Sequence, residues 1–164
     1  MTTTALPRLL ELHRERVQKE WTDYNGHMNV AYFVLAFDHA TDAFFDHLDL
    51  GRAYRERSNC SLFTLEAHVS YARELKEGDE LRFTTQLIGY DDKRLHYFHR
   101  MYHAEEGYLA ASNELLSIHV DLATRRAGAL PPHAGLKLAE IMAAHASLPR
   151  PPELGRVMGI KRMA

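Results

Sequence analysis

Residues 29–48 read NVAYFVLAFDHATDAFFDHL, and this stretch decides the fold. Its apolar side chains recur at the three- and four-residue spacing that predicts an α-helix. Asp38, Asp42 and Asp46 fall four residues apart and form one polar stripe along that helix. Because most of the remaining circumference is apolar, we expect other elements to enclose the helix.

Strand patterns lie on both sides of this helix. A first strand is predicted near residues 16–21. After the helix, apolar and polar side chains alternate with a period of two over residues 63–71, 81–87, 95–101 and 116–122, and turn residues separate the segments. These segments predict neighbouring antiparallel strands. A second helical pattern covers residues 136–146 and ends before Pro149, Pro151 and Pro152.

This order predicts an α+β hotdog fold, in which one antiparallel sheet wraps around one long helix. A ferredoxin-like fold would need a second helix between strands, and the pattern from Ser61 to Leu122 leaves no room for it. We predict an N-terminal arm over residues 1–15, a hotdog domain over residues 16–126, and a C-terminal helix and tail over residues 127–164. A length of 164 residues with 46% hydrophobic content suits one such domain.

Composition excludes several classes of function. The formal net charge is -2, so no basic field predicts a nucleic acid or an anionic membrane as partner. The apolar run Val30–Phe37 is far shorter than the roughly 20 residues of a membrane helix, and residues 1–8 lack a signal-peptide pattern. We therefore expect a cytoplasmic protein. The single cysteine, Cys60, excludes an internal disulfide and a cysteine zinc site.

Histidine spacing gives no metal site. His96, His99 and His103 fall within one predicted strand, where His96 faces opposite to the other two, and no further ligand is indicated. We expect neither a metal nor a cofactor.

The chemistry is concentrated in residues 21–32, which read WTDYNGHMNVAY. Asp23 precedes the predicted start of the helix, where unpaired backbone N–H groups can bind a carbonyl oxygen that gains negative charge during acyl transfer. Asp23 could attack that carbonyl or take a proton from water, and Gly26 would let the backbone approach the substrate closely. The alternative is that Asp23 and Asn25 only form a turn that caps the helix.

The pattern Asp23-x-x-Gly26-His27-x-Asn29-x-x-Tyr32 closely resembles the signature of hotdog acyl-CoA thioesterases of the 4-hydroxybenzoyl-CoA thioesterase type. The resemblance covers roughly residues 15–125, including Tyr71, Gly78-Asp79 and residues 119–121. Residues 37–42, 93–96 and 154–160 are similar to a narrower branch, the betainyl-CoA thioesterases of carnitine catabolism. The chain departs from the commoner pattern at Met28 and Val30.

The resemblance implies catalytic roles for four residues. Asp23 would act as nucleophile or general base, and the backbone N–H near Val30 would polarise the thioester carbonyl. Asn29 and His27 would orient the loop, although His27 could equally be a packing residue. The implied substrate is an acyl-CoA, and the implied assembly is a homodimer or homotetramer.

Further side chains are predicted to bind the substrate. Glu66 could place a second carboxylate in the pocket, or could face solvent. A betainyl group is a quaternary ammonium, which aromatic faces bind well, so Trp21, Tyr24, Tyr32 and Phe33 could form a cage, or could be ordinary packing. Two other functions remain open at this point: a hotdog dehydratase or hydratase, and a non-catalytic module that binds acyl-CoA.

Overall fold

The computed structural model describes residues 8–160, so positions 1–7 of the predicted arm and 161–164 of the tail lie outside the described residues. The elements follow one another as β1 (Arg14–Arg16), α1 (Val30–His47), α2 (Arg52–Ser58), β2 (Cys60–Tyr71), β3 (Glu80–Tyr90), β4 (Arg94–His103), β5 (Leu109–Asp121), β6 (Arg126–Ala127) and α3 (Pro132–His145). A short 3₁₀ turn covers Lys19–Trp21.

The strands form one antiparallel sheet in the order β1-β3-β4-β5-β2, with β6 paired to β5. The predicted hairpins β3–β4 and β4–β5 are confirmed. The prediction that every consecutive pair is adjacent is wrong for β2, which pairs with β5 at one edge while β3 pairs with β1 and β4. Residues 72–79 between β2 and β3 are long enough to cross from one edge of the sheet toward the other.

Helix α1 packs one face across the middle of this sheet. Phe37 contacts Phe83 of β3 and His99 of β4, with ring centroids 5.9 and 6.3 Å apart. Two turns further along the helix, the ring centroids of Phe44 and Tyr97 lie 5.2 Å apart, and all of these rings are buried. Burial of large aromatic side chains on both sides fixes the helix against the strands. The α+β hotdog architecture is confirmed.

The expectation that other elements enclose α1 is wrong for one of its faces. Val34 and Leu35 keep 47% and 38% of their surface exposed, and Ala31 is exposed beside them. Hydrophobic periodicity reports which face of a helix is apolar, but it does not report whether the same chain covers that face. Within residues 8–160, no helix is both long and apolar enough to cross a membrane.

Several elements differ from the predictions, including β5, which begins at Leu109 instead of near residue 116. The first strand ends at Arg16, and the predicted stretch beyond it turns instead at Lys19–Trp21. Helix α2 is an addition, since its short sequence RAYRERS carries one buried side chain, Tyr54, and no clear periodicity. Helix α3 begins at Pro132, four residues before its apolar pattern, because proline is favoured in the first turn of a helix.

The C-terminal tail crosses the face of the sheet opposite α1. Arg100 donates to Glu153 at 2.8 Å, the Gln86 amide donates to the Pro149 carbonyl at 3.2 Å, and the Gly155 N–H donates to Glu114 at 2.7 Å. These contacts hold the tail against β3, β4 and β5. The tail therefore covers part of the outer face of the sheet.

Candidate active site

Asp23 lies in a tight turn that leads into α1. The Asp23 N–H donates to the His27 carbonyl at 3.1 Å, and the Gly26 N–H donates back to the Asp23 carbonyl at 3.0 Å. Gly26 has φ +76°, a left-handed conformation that glycine adopts without strain. A Cβ at Gly26 would meet no atom within 4 Å. The backbone conformation therefore accounts for a glycine at this position, and its close approach to a substrate stays a prediction.

Asn29 connects Asp23 to the helix. Its side-chain oxygen accepts the Ala31 N–H at 3.0 Å, which makes Asn29 the N-cap of α1. Its side-chain nitrogen donates to Asp23 Oδ2 at 3.2 Å, and Asp23 Oδ1 accepts the Asn25 N–H at 2.8 Å. The carboxylate is thus held by a backbone donor and by the helix cap. Asp23 forms the predicted turn, but the residue that caps the helix is Asn29.

Val30 is the first residue of α1, and no acceptor within residues 8–160 pairs with its backbone N–H. The first N–H groups of an α-helix lack partners in the helix and carry its partial positive charge. The Val30 carbonyl accepts the Tyr71 hydroxyl of β2 at 3.3 Å. The backbone at this position is therefore anchored to the sheet while its N–H stays available.

A pocket of about 420 Å³ joins these groups. Its lining includes four predicted residues, namely Asp23, His27, Asn29 and Val30. Phe33, which the sequence analysis considered for an aromatic cage, also lines the pocket. Tyr71, Arg73 and Glu74 line it as well, although the sequence analysis gave them no role there. Phe33 and Tyr71 meet edge to face, with centroids 5.2 Å apart. Phe33 is close to Asp23 along the chain, whereas Tyr71 ends β2 and residues 72–74 follow it, so no local pattern connects them to Asp23.

His27 reaches the rim of this pocket. Its Nε2 lies 2.8 Å from a Glu74 carboxylate oxygen, and both side chains remain partly exposed. His27 therefore pairs with Glu74, which the sequence analysis did not consider, and its carbonyl holds the Asp23 turn. Arg73 stacks its guanidinium 3.8 Å above the Tyr108 ring and lines the same pocket. Arg73 thus contributes a cation to the pocket that Asp23 also lines.

The aromatic side chains near Asp23 do not meet in one cage. Trp21 and Tyr32 stack on each other, with ring centroids 5.7 Å apart, and pack against the core. Tyr24 is 97% exposed. Of the four aromatic residues, Phe33 alone lines the Asp23 pocket in the part of the chain that the structure describes. Their proximity along the chain does not place them around one point.

Glu66 also lies elsewhere in the protomer. The strand register of β2 shifts between Thr64 and Glu66. The Glu66 side chain is exposed and lines a groove with His68, His96 and Glu114. Glu66 was predicted either to enter the pocket or to face solvent, and in a single chain it faces solvent.

The three histidines of β4 have separate partners. His99 is fully buried between Thr41 and Thr85, whose hydroxyls lie 3.1 and 2.9 Å from its two ring nitrogens. Burial lowers the pKa of His99 to about 3, with a smaller contribution from nearby His13. His96 pairs with Glu114 at 2.8 Å, and His103 accepts the Glu106 N–H. These three side chains do not converge.

Another group of side chains could hold a metal ion. Ligand atoms of His13, Glu15 and His39 lie within 4.8 Å of one another. Both imidazoles are hydrogen-bonded to the Glu15 carboxylate, at 3.0 Å from His13 and 3.0 Å from His39. Those hydrogen bonds tie β1 to α1 and satisfy the cluster as it stands.

Comparisons with known proteins show the family of this chain. The family model of the thioesterase-like superfamily matches residues 17–144. A betainyl-CoA thioesterase of Pseudomonas aeruginosa is 40% identical over 158 residues, which cover 94% of this chain and 98% of that protein. An L-carnitine dehydrogenase/betainyl-CoA thioesterase of Agrobacterium fabrum is 39% identical over 123 residues, which cover 75% of this chain and 25% of that longer protein.

A solved structure extends the comparison to three dimensions. The Staphylococcus aureus protein SAV2348, determined in complex with CoA, is 31% identical to this chain. It superposes with a TM-score of 0.88, over 95% of this chain and 98% of that protein. With its curled antiparallel sheet, its central helix and relatives over nearly its whole length, the chain belongs to the thioesterase-like superfamily.

Proposed function

We propose that the protein is an acyl-CoA thioesterase in which Asp23 acts as nucleophile or general base. Its family and its betainyl-CoA thioesterase relative make it a thioester hydrolase. The single observation that carries the proposal is the bond from Asn29 to Asp23. Because Asn29 also caps α1, it fixes the carboxylate beside the unpaired N–H of Val30, and both groups line one pocket.

The pocket suggests how the reaction would proceed. The thioester carbonyl oxygen would accept the Val30 N–H, where the helix N-terminus stabilises the negative charge of the tetrahedral intermediate. In the nucleophilic route, an Asp23 oxygen bonds to the carbonyl carbon and the C–S bond breaks. The CoA thiolate takes a proton from water, and a second water hydrolyses the mixed anhydride. In the base route, Asp23 takes a proton from the water that attacks the carbonyl carbon, the C–S bond breaks, and the CoA thiolate takes that proton back from Asp23.

The proposed substrate is betainyl-CoA. Support comes from the two relatives whose names include this activity, one of which matches along nearly its whole length. The reaction would release betaine and CoA, and would belong to carnitine catabolism. SAV2348 was solved with CoA bound and shares most of this fold, which supports a CoA ester as substrate. A cytoplasmic location stays a prediction.

The proposal includes a homodimer. Strand β2 is an edge strand, and its Phe63 and Leu65 expose 41% and 51% of their surface. Val34 and Leu35 of α1 add a second exposed apolar area. An uncovered edge with apolar side chains favours pairing with another strand, and a second copy supplies the same edge with matching chemistry. The dimer would thus extend the sheet across β2.

Replacement of Asp23 tests the proposed chemistry. Asp23→Asn keeps the size of the side chain and removes its charge, so we expect kcat for betainyl-CoA to fall by about 10²–10⁴-fold with an unchanged circular dichroism spectrum. Free thiol released from CoA esters measures turnover. Asp46→Asn, on the exposed stripe of α1, is the matched control. More than a tenth of wild-type kcat in Asp23→Asn would refute the role of Asp23.

A single turnover in ¹⁸O-labelled water separates the two routes. If water cleaves the anhydride at the Asp23 carbonyl, nucleophilic attack leaves the label first in the Asp23 carboxylate, whereas base catalysis places it directly in the released acid.

A further inference from the structure

A second cavity opens on the exposed side of α1, and we call it the helix-side cavity. It has a volume of about 460 Å³ and lies between α1 and strands β2 and β5. Its walls are largely apolar and include Ala31, Val34 and Leu115. The polar groups that line it include Asp38 and Thr41 of α1 and Asn113 of β5.

The cavity begins next to the proposed reaction centre. Ala31 follows Val30 directly, and Val34 lies one helical turn further on. Asp38 stands eight residues after Val30, which corresponds to about 12 Å along the helix axis. An acyl group whose carbonyl oxygen meets the Val30 N–H can therefore extend along this face of α1, from Ala31 toward Asp38.

Asn113 contributes a buried polar side chain to the lining of the cavity. The residue is only 2% exposed, and its side-chain oxygen has no hydrogen-bond partner among the described residues. Buried polar oxygens in folded proteins almost always have a partner, because leaving one unpaired is unfavourable. An oxygen can accept a hydrogen bond or contact a positive charge, so it favours a ligand that brings one of these.

The charge on this side of α1 is also unbalanced. Asp38, Asp42 and Asp46 form no ion pair with a basic side chain within residues 8–160. The pKa of Asp42 is raised by burial, and then by the neighbouring charges of Asp38 and Asp46. This face of the helix therefore carries a negative potential that a cationic ligand would lower.

We propose that the helix-side cavity binds the acyl group, and that Asp38 and Asn113 make the site prefer acyl groups with a positive charge. This rests on the function proposed above, and Asp38 and Asn113 would be the groups that recognise the acyl part of the thioester substrate. A trimethylammonium group has no N–H, so it is held by negative potential and by oxygen acceptors instead of by directional hydrogen bonds. The cavity supplies both without an aromatic cage.

The geometry also predicts that the preference for a cationic acyl group depends on the length of that acyl group. In a betainyl group, the nitrogen is two bonds from the carbonyl carbon, so it enters the cavity near Ala31 and Asp38 acts on it through space. A 4-trimethylammoniobutanoyl group carries its charge further along α1, closer to Asp38. Because Coulomb energy grows as two charges approach, Asp38 should discriminate more strongly for the longer cation.

The experiment compares each cationic ester with its uncharged isostere, in which carbon replaces nitrogen. For betainyl-CoA that isostere is 3,3-dimethylbutanoyl-CoA. We expect Asp38→Asn to lower kcat/KM for betainyl-CoA by about tenfold while leaving the value for the isostere within about twofold. Asn113→Leu removes the oxygen at similar volume and should shift the ratio in the same direction. Asp46→Asn makes the same charge change outside the cavity, about 12 Å further along the helix axis than Asp38, and should therefore shift the ratio much less than Asp38→Asn.

Equal losses on both esters, or an unchanged ratio in Asp38→Asn, would overturn the proposal. A second readout covers the case in which turnover is too slow to compare. Calorimetric dissociation constants of both esters, measured for Asp23→Asn with and without Asp38→Asn, report the charge preference without catalysis. If Asp23→Asn stays fully active while Asp38→Asn loses the charge preference, the role of Asp23 fails and the cavity proposal stands.

Discussion

Asn29 performs two tasks that different substitutions can separate. Its oxygen caps α1 through the Ala31 N–H, and its nitrogen donates to Asp23. Asn29→Ala removes both contacts. Asn29→Ser keeps a side-chain oxygen at the N-cap and removes the donor to Asp23. If the proposed function is right, the first variant loses stability and activity, and the second loses activity alone.

The magnitudes follow from the two hydrogen bonds. Loss of an N-cap acceptor costs about 1 kcal/mol, which lowers Tm by about 2–4 °C in a chain of this size. A hydrogen bond to an ionised group contributes about 1.5–3 kcal/mol, and the partial exposure of Asp23 favours the lower end of that range. Since 1.4 kcal/mol is a factor of ten, we expect kcat to fall about tenfold or somewhat more in both variants.

Thiol release at saturating betainyl-CoA gives kcat, and urea unfolding gives the free energy of unfolding. Asn29→Ser should combine a tenfold lower kcat with nearly wild-type stability. Wild-type kcat in Asn29→Ser would refute the positioning role of Asn29. A fall in kcat that tracks the fall in stability across both variants would refute it as well, because activity would then follow folding.

Two further predictions concern the assembly and the core. Leu65→Glu on the β2 edge should shift the protein from dimer to monomer in sedimentation at micromolar concentration, whereas Leu136→Glu, on α3 and even more exposed, should not. A monomeric wild type would refute the interface. The pKa of His99 is lowered to about 3 in the folded protein, whereas in the unfolded chain this imidazole takes up a proton near pH 6.5. The free energy of unfolding therefore keeps the full contribution of His99 above pH 6.5. It decreases as the pH drops toward 3, by at most about 1.4 kcal/mol per pH unit from this group. Urea unfolding of wild type and His99→Gln should show a shallower acid slope in the variant, and equal slopes would contradict this assignment.

Local patterns in the sequence predicted those parts of the fold that depend on neighbouring residues. The periodicity of residues 29–48 located α1, and turn residues located the hairpins of β3, β4 and β5. The position of β2 beside β5 depends on how residues 72–79 cross the sheet, and no local pattern reports that. For the same reason, Tyr71 and Glu74 reach the Asp23 pocket although they are distant in sequence.

The site was predictable where its geometry is set within a few residues. Asp23, Asn29 and Val30 lie together because one turn and one helix cap connect them. Within one chain the aromatic side chains do not meet, because adjacent positions on a turn point in different directions, so Trp21 packs on Tyr32 while Tyr24 faces solvent. Asn113 could not be predicted, because its unpaired oxygen results from the surrounding tertiary structure.

Helix α1 offers opposite potentials to the two ends of a cationic acyl group. Its N-terminus, at Val30, is positive and suits the carbonyl oxygen, whereas Asp38 and Asp42 make the following turns negative. A betainyl group has the matching arrangement, with a negative carbonyl oxygen and a positive trimethylammonium group. The two interactions then align the substrate along the helix in one direction. For an acyl group with a negative end, the carbonyl oxygen would still be attracted by the helix N-terminus, but the negative end would be repelled by Asp38 and Asp42. The same helix would therefore both orient the substrate and select it.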